Sequence, residues 1–322
     1  MNYPLVSIVL ATFNGELYIK EQIVSLLNQT YSNLEIIISD DNSTDMTFSI
    51  LSDYSNVPNV KIIRNEVNLG YIKNFELALS FCNGEFIAFC DQDDIWFPNK
   101  IQTLVDSING SSLIWSDTSI IDKSGKLMSF SLNKNLQQDY EQNLQFKILL
   151  GNSILGCTSL FRREVLDSAC PFPKSNPPHD WWISLIACKI HGMKYYPKPL
   201  MKWRRHTSTD TSPSTDDFRN PYFRFFKFIL FFLNYKELSK FRKNIRKERF
   251  HFQNIYEDLI KMDLFSESEK YIFNELISMY KSINSHKFRF KGFKILFRYK
   301  DYLFPEKKVL LKWGRLFLIW LV

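Results

Sequence analysis

Three carboxylates crowd a stretch of four residues, Asp91, Asp93 and Asp94 in CDQDDIW, directly after the apolar run Phe86 to Cys90. Like charges this close raise one another's proton affinity and cost stability unless something positive balances them. Clustered oxygen ligands of this kind suit a hard divalent cation such as Mg²⁺ or Mn²⁺. The competing reading is that Asp merely starts helices and makes turns. Three more polar groups weaken that reading, because each also follows a short apolar run: Thr12-Phe13-Asn14, Asp40-Asp41-Asn42-Ser43 and Asn68-Leu69-Gly70.

The elements that must position these groups are legible as an alternation. Leu5 to Thr12, Leu34 to Ser39, Val60 to Arg64, Phe86 to Cys90 and Leu113 to Trp115 read as strands. Glu16 to Gln29 carries Ile19, Ile23, Leu26 and Leu27 at helical spacing, and Tyr71 to Phe81 does the same with Ile72, Phe75 and Leu79. Within SDDNSTDMTFSIL, Asp45 is placed to favour a helix N-terminus. Strands alternating with helices predict an α/β fold with a mainly parallel sheet covered on both faces. In such sheets ligands bind beyond the carboxyl ends of the strands, so the four polar groups are expected on one rim.

Composition sets the frame around that rim. A chain of 322 residues with 45% hydrophobic content can bury one substantial core and a smaller annex. Its five cysteines are odd in number and form no CxxC pair, which suggests neither a disulfide framework nor a zinc site and makes a reducing cytosol the expected home. No apolar run reaches about 18 residues, and VSIVLATF is too short for a signal peptide or a membrane span. The net charge of +7 conceals a division: residues 1–218 carry 18 Lys/Arg against 24 Asp/Glu, and residues 219–322 carry 23 against 10. A boundary near residue 215, after TSTDTSPSTDD, separates an acidic body (1–215) from a basic, aromatic-rich region (216–322) expected to be helical. Its segments NPYFRFFKFILFFLNYKELSKFRKNIRKERFHF, HKFRFKGFKILFRYK and KKVLLKWGRLFLIWLV read as basic amphipathic helices suited to an anionic membrane surface. A helical cap packed on the body and an oligomer interface compete with that reading. Nucleic acid is not expected, since no recognition motif accompanies the charge.

Taken in order and spacing, VSIVLATFN, SLLNQTYSNLEIIISDDNSTD, NLGYIKNFELAL and GEFIAFCDQDDIW resemble the successive motifs of family 2 glycosyltransferases, which have the GT-A fold. The resemblance covers roughly the first 120 residues. It implies inverting transfer of a sugar from a nucleotide diphosphate donor to a hydroxyl of a glycan or lipid-linked acceptor, as in bacterial surface polysaccharide assembly. It also implies that Thr12 and Asn14 line the nucleotide site, that Asp41 hydrogen-bonds the base, and that Lys73 lies close to base or phosphate. Asp91 to Asp93 becomes the DxD motif, with Asp93 on Mg²⁺ or Mn²⁺ and Asp91 on the ribose. Asp94 then supports the loop from behind or caps a helix.

Transfer to a hydroxyl needs a general base, and the candidate is Asp180 in PPHDWWISLIA. An ordinary helix-starting Asp is the alternative. The adjacent Trp181 and Trp182 are expected to offer indole faces to a sugar. HDWW also resembles the rhamnosyltransferase-like members of the family, which points to dTDP-rhamnose as donor. GNSILGCTSLFRREVL resembles the segment beneath the acceptor site, and Cys157 within it reads as packing rather than as a nucleophile. MKWRRHTSTD resembles the segment that closes over the donor: Arg204 or Arg205 would hold the diphosphate, with a surface ion pair as the alternative, and His206 would be a metal ligand or a phosphate contact, with a structural role as the alternative. The alternatives are a sugar-nucleotidyltransferase, or a non-catalytic protein that binds sugar nucleotides or glycans.

Overall fold

The computed structural model describes residues 3–136, 154–206 and 251–283, together with positions 144, 148, 149 and 298. β1 (Val6–Thr12), β2 (Leu34–Asp40) and β4 (Phe86–Cys90) are almost continuously apolar and buried on both faces, as central strands under helices must be. β3 (Val60–Arg64) is half-exposed and forms the sheet edge. The pairings β3–β2, β2–β1 and β1–β4 are all parallel, so four strand ends share one rim. Beyond β4 the sheet continues through β8 (Ser159–Arg162), β6 (Leu113–Asp122), β9 (Met193–Arg205) and β5 (Ile95–Trp96). There β6 and β9 run parallel, while β4–β8, β6–β8 and β5–β9 are antiparallel, and β7 (Leu127–Ser129) pairs with β6.

Helices α1 (Ile19–Leu27), α2 (Thr47–Ser52), α3 (Tyr71–Leu79) and α4 (Lys100–Ile108) follow the strands, and α1 and α3 are shorter than the sequence ranges that predicted them. Asp45, one residue ahead of the Met46 N-cap, accepts the Thr47 backbone N–H at 2.9 Å through Oδ1. Two more helices, α5 (Arg163–Ala169) and α6 (His179–Ile190), lie between β8 and β9. α6 buries Trp181, Trp182, Ile183, Leu185, Ile186 and Ala187, so it is covered nearly all round. The fifth predicted strand, Leu113 to Trp115, extends to ten residues as β6. Its continuation Ser116-Asp117-Thr118-Ser119 is buried but polar, and Asp117 there accepts the Thr118 N–H and the Ser131 hydroxyl. An apolar-run criterion stops where such residues begin.

The chain divides into two compact units, and β1 to β9 with α1 to α6 belong to the first. In the second, residues 251–261 are helical (α7) and α8 spans Glu267–Ile283. Ser266 opens α8 with a capping box: Glu269 accepts the Ser266 backbone N–H at 3.0 Å, and the Glu269 N–H points back to the Ser266 hydroxyl. Tyr256 stacks on Phe273 with centroids 5.6 Å apart, closing a small core with Leu259, Phe265 and Leu276. Most of the basic aromatic segments singled out in the sequence, within 219–250 and 284–322, lie outside the described residues. Among the described residues no helix is long and apolar enough to cross a membrane.

Candidate active site

The rim is built from the four strand ends. After β1, Thr12 is buried and Asn14 adopts a left-handed φ of 49°. That turn lets the Asn14 backbone N–H donate to Ser43 Oγ at 2.9 Å while Asn14 Oδ1 accepts the Thr44 N–H at 2.9 Å, which ties the first two strand ends together. After β2, the Asp41 N–H donates to the Thr12 carbonyl at 2.8 Å. The Asp41 carboxylate accepts the Leu69 and Gly70 N–H groups and Asn65 Nδ2, each at 2.8 Å. Gly70, at φ 81°, takes a conformation that side chains disfavour. Thr12, Asn14 and Asp41 therefore converge, and Asp41 orders the loop before α3 with three of its roughly four acceptor positions. Lys73, in the first turn of α3, pairs with Glu76 at 2.6 Å.

The acidic loop after β4 forms the other wall. The carboxylate oxygens of Asp91 and Asp94 and the Cys157 sulfur lie within 4.8 Å of one another. Asp94 Oδ1 accepts the Arg204 backbone N–H at 3.0 Å, whereas its Oδ2 is buried without a hydrogen-bond partner. Burial and then the Asp93 charge push Asp91 up to about 7, and the same two causes with Asp91 push Asp94 well above the usual carboxylate range. Burial, then Asp94 and Asp91, push the Cys157 thiol upward, so it is held as a neutral packing group and not as a nucleophile. Asp93 Oδ2 and His206 Nε2 are 2.7 Å apart. This contact is a hydrogen bond, and a divalent cation held by both atoms would take its place.

The structure adds a residue that the sequence reading missed. Lys100 is fully buried, donates from Nζ to the Cys157 carbonyl and sits 3.3 Å from the centre of the Trp96 ring. Burial lowers its pKa to about 8, against the opposing influence of Cys157, Cys90, Asp94 and Asp91. It is the cation beneath the acidic loop. A signal was present in the sequence, because a Lys as first residue of a helix opposes the helix dipole and so calls for another partner.

Arg204 lies against the acidic loop. Its guanidinium is buried: Nε donates to the Asp93 carbonyl at 2.7 Å, and the terminal nitrogens donate to the Glu21 carboxylate and to the Asp122 and Lys123 carbonyls. A fork with these protein acceptors holds the DxD loop in place. Arg205 stacks over Trp203 at 4.3 Å.

On the remaining side, the 3₁₀ turn Gly156–Thr158 lies between the acidic loop and α6. A Cβ at Gly156 would come within 3.0 Å of Asp180 Cβ and 3.1 Å of His179 Nε2, so glycine allows this close approach. Asp180 is the second residue of α6, its Oδ1 accepts the Trp181 N–H at 2.8 Å, and its charge is felt at Asp91. His179 stacks on Phe75 at 4.0 Å, and burial keeps its pKa below the ordinary value. The two tryptophans do not face a ligand. Trp181 and Trp182 are 0% and 2% exposed, and their indole N–H groups donate to the Ile148 and Ala169 carbonyls. They fix the start of α6 from inside the core. Gly156→Ala is accordingly expected to push His179 and Asp180 away from the turn and lower the melting temperature by a few degrees, measured by thermal melting.

Known proteins match this chain on sequence and on fold. The family model described as Glycosyl transferase family 2 matches residues 7–169. An uncharacterized glycosyltransferase of Haemophilus influenzae is 32% identical over 66% of this chain and 68% of its own length. The dTDP-rhamnosyl transferase RfbG of Shigella flexneri is 31% identical, covering 61% of this chain and 71% of RfbG. The Escherichia coli enzyme WfgD, a UDP-Glc:alpha-D-GlcNAc-diphosphoundecaprenol beta-1,3-glucosyltransferase, is 30% identical over 58% of this chain and 71% of its own. Among solved structures, S. aureus TarS 1-349 in complex with UDP-GlcNAc has a TM-score of 0.58 at 19% identity, covering 93% of this chain and 81% of that one. The likeness is one of fold, the GT-A architecture that the motifs implied.

Proposed function

The chain belongs to glycosyl transferase family 2, and from that premise we propose an inverting, metal-dependent transfer of a hexose from a nucleotide diphosphate sugar to a hydroxyl of a glycan or lipid-linked acceptor. The observation that carries the reading is the arrangement around Gly156–Thr158: the acidic loop with its Asp93–His206 pair on one side, Asp180 on the other. Thr12, Asn14 and Asp41 form the nucleotide end, Asp91 takes the ribose, and Lys73 lies at its margin. Asp93 and His206 would hold Mg²⁺ or Mn²⁺, which when bound stabilises charge on the departing diphosphate. Asp180 accepts the acceptor's proton. Direct displacement is favoured over a covalent route because Cys157 is a buried neutral thiol.

The relatives RfbG and WfgD, by their names, use dTDP-rhamnose and UDP-glucose, the latter on a lipid diphosphate acceptor. With the HDWW segment this favours dTDP-rhamnose as donor and bacterial surface polysaccharide as product. The catalytic region is residues 1–215, and the basic region 216–322 brings it to the anionic inner face of a membrane where a lipid-linked acceptor resides. Calorimetry with dTDP-, UDP- and GDP-sugars in Mn²⁺ tests the donor. One nucleotide is expected to bind and its nucleoside diphosphate to be released on transfer. Release of pyrophosphate would make the chain a nucleotidyltransferase, and binding of none would reject the reading.

A further inference from the structure

Gln92, the middle residue of the DxD sequence, makes three hydrogen bonds to the loop after β1. Gln92 Oε1 accepts the Thr12 hydroxyl at 2.6 Å and the Phe13 backbone N–H at 2.9 Å, and Gln92 Nε2 donates to the Phe13 carbonyl at 3.1 Å. The three bonds agree on one orientation of the amide, with two donors at its oxygen and a carbonyl at its nitrogen. They join loops 80 residues apart in sequence. Space for the amide is reserved by a glycine: a Cβ at Gly15 would lie 2.3 Å from Gln92 Oε1 and 2.7 Å from its Cδ.

The consequence concerns Thr12. Its side chain is 2% exposed and its hydroxyl hydrogen is directed at Gln92, so its contribution to the rim passes through that contact. Phe13 and Asn14 continue the same loop, and Asn14 in turn is bonded to Ser43 and Thr44 after β2. Gln92 is thus where the acidic loop is fastened to the paired loops of β1 and β2. Its flanking residues, Asp91 and Asp93, are those assigned above to ribose and cation.

We propose that Gln92 is a positioning residue for the donor: its amide sets the register between the nucleotide loop after β1 and the DxD loop after β4, so that base, ribose and diphosphate are met together. This rests on the glycosyltransferase reading above. A donor that spans both loops gains from their fixed spacing, because the ordering of the two loops is then met in folding and not in binding. Loss of the pin lowers donor affinity and leaves the chemical step, which belongs to Asp180, in place.

The test uses the full chain, with UDP, dTDP and GDP in Mn²⁺ as calorimetric probes and kcat and KM measured for the donor that the wild type accepts. Gln92→Met, similar in length but without the three bonds, is expected to raise nucleotide Kd and donor KM about tenfold, with kcat at saturation within about twofold. Thr12→Val and Gly15→Ala, which disturb the same pin from the other loop, are expected to weaken binding likewise, and Thr12→Val adds little once Gln92→Met is present. Unchanged nucleotide affinity, additive losses, or a fall in kcat with affinity intact would each overturn the proposal. Should Gln92→Met fail to fold, Thr12→Val and Gly15→Ala decide it by the same criterion. A wild type that binds none of the three nucleotides fails the glycosyltransferase reading itself, which is a different result from a wild type and a Gln92→Met variant that bind alike.

Discussion

Asp180→Asn is expected to lower kcat by a factor of about 10² to 10⁴ while leaving nucleotide affinity and thermal stability close to wild type. Asn can keep its oxygen at the Oδ1 position, accepting the Trp181 N–H at 2.8 Å, so the start of α6 is preserved. What disappears is a carboxylate oxygen able to take a proton. The environment favours a clean separation of the two effects. Asp180 adds to the negative charge felt by Asp91, so removing its charge relieves crowding at the acidic loop and does not weaken the fold. Single-turnover kinetics beside calorimetry provide the measurement. Turnover of the Asn variant near the wild-type rate would remove Asp180 from the base role and return it to helix capping.

How much of this was legible in the sequence depends on whether a residue's partner is local. β4 and the acidic loop stand out because five buried apolar residues give way abruptly to Asp91, and the same break marks the ends of β1 and β2. β6 was seen only in its first three residues, since its buried Ser116 to Ser119 satisfy polar groups within the fold and look like a loop in the sequence. Trp181 and Trp182 were expected at a ligand, but α6 is enclosed on nearly all sides, and a single helix does not announce what covers it. Lys100 and Gln92 acquire their meaning from Cys157 and Thr12, 57 and 80 residues away. Arg204 was legible as a charge near the site, not as the clamp on Asp93 that its buried guanidinium makes.

That clamp makes the second large effect interpretable. Asp93→Ala is expected to abolish the metal-dependent part of nucleotide binding, so that adding Mn²⁺ or Mg²⁺ to UDP, dTDP or GDP no longer raises affinity, while the protein melts within a few degrees of wild type. The loop should hold its shape because, apart from the Asp93–His206 contact, its fixings do not use the Asp93 side chain: Arg204 Nε bonds the Asp93 carbonyl, the Arg204 N–H bonds Asp94, and Gln92 bonds Thr12 and Phe13. Burial holds Asp91 and Asp94 above their ordinary range and the Asp93 charge adds to it, so losing that carboxylate should let both ionise at somewhat lower pH in the variant. Stability should therefore change little or rise, which distinguishes loss of a ligand from loss of structure. His206 keeps its ring against Tyr18, with centroids 5.0 Å apart, but no longer has the carboxylate oxygen 2.7 Å away that completes the pair. Asp93→Ala removes the carboxylate and leaves the imidazole alone to hold a small divalent ion beside its waters and the phosphate oxygens. His206→Ala is expected to weaken the same metal-dependent term to a lesser degree, because Asp93 retains its charge. Calorimetric titrations with and without 5′-diphosphate nucleotide and with EDTA as control check both variants, and an Asp93→Ala protein whose nucleotide affinity still rises with Mn²⁺ would place the cation on Asp91 and Asp94 instead.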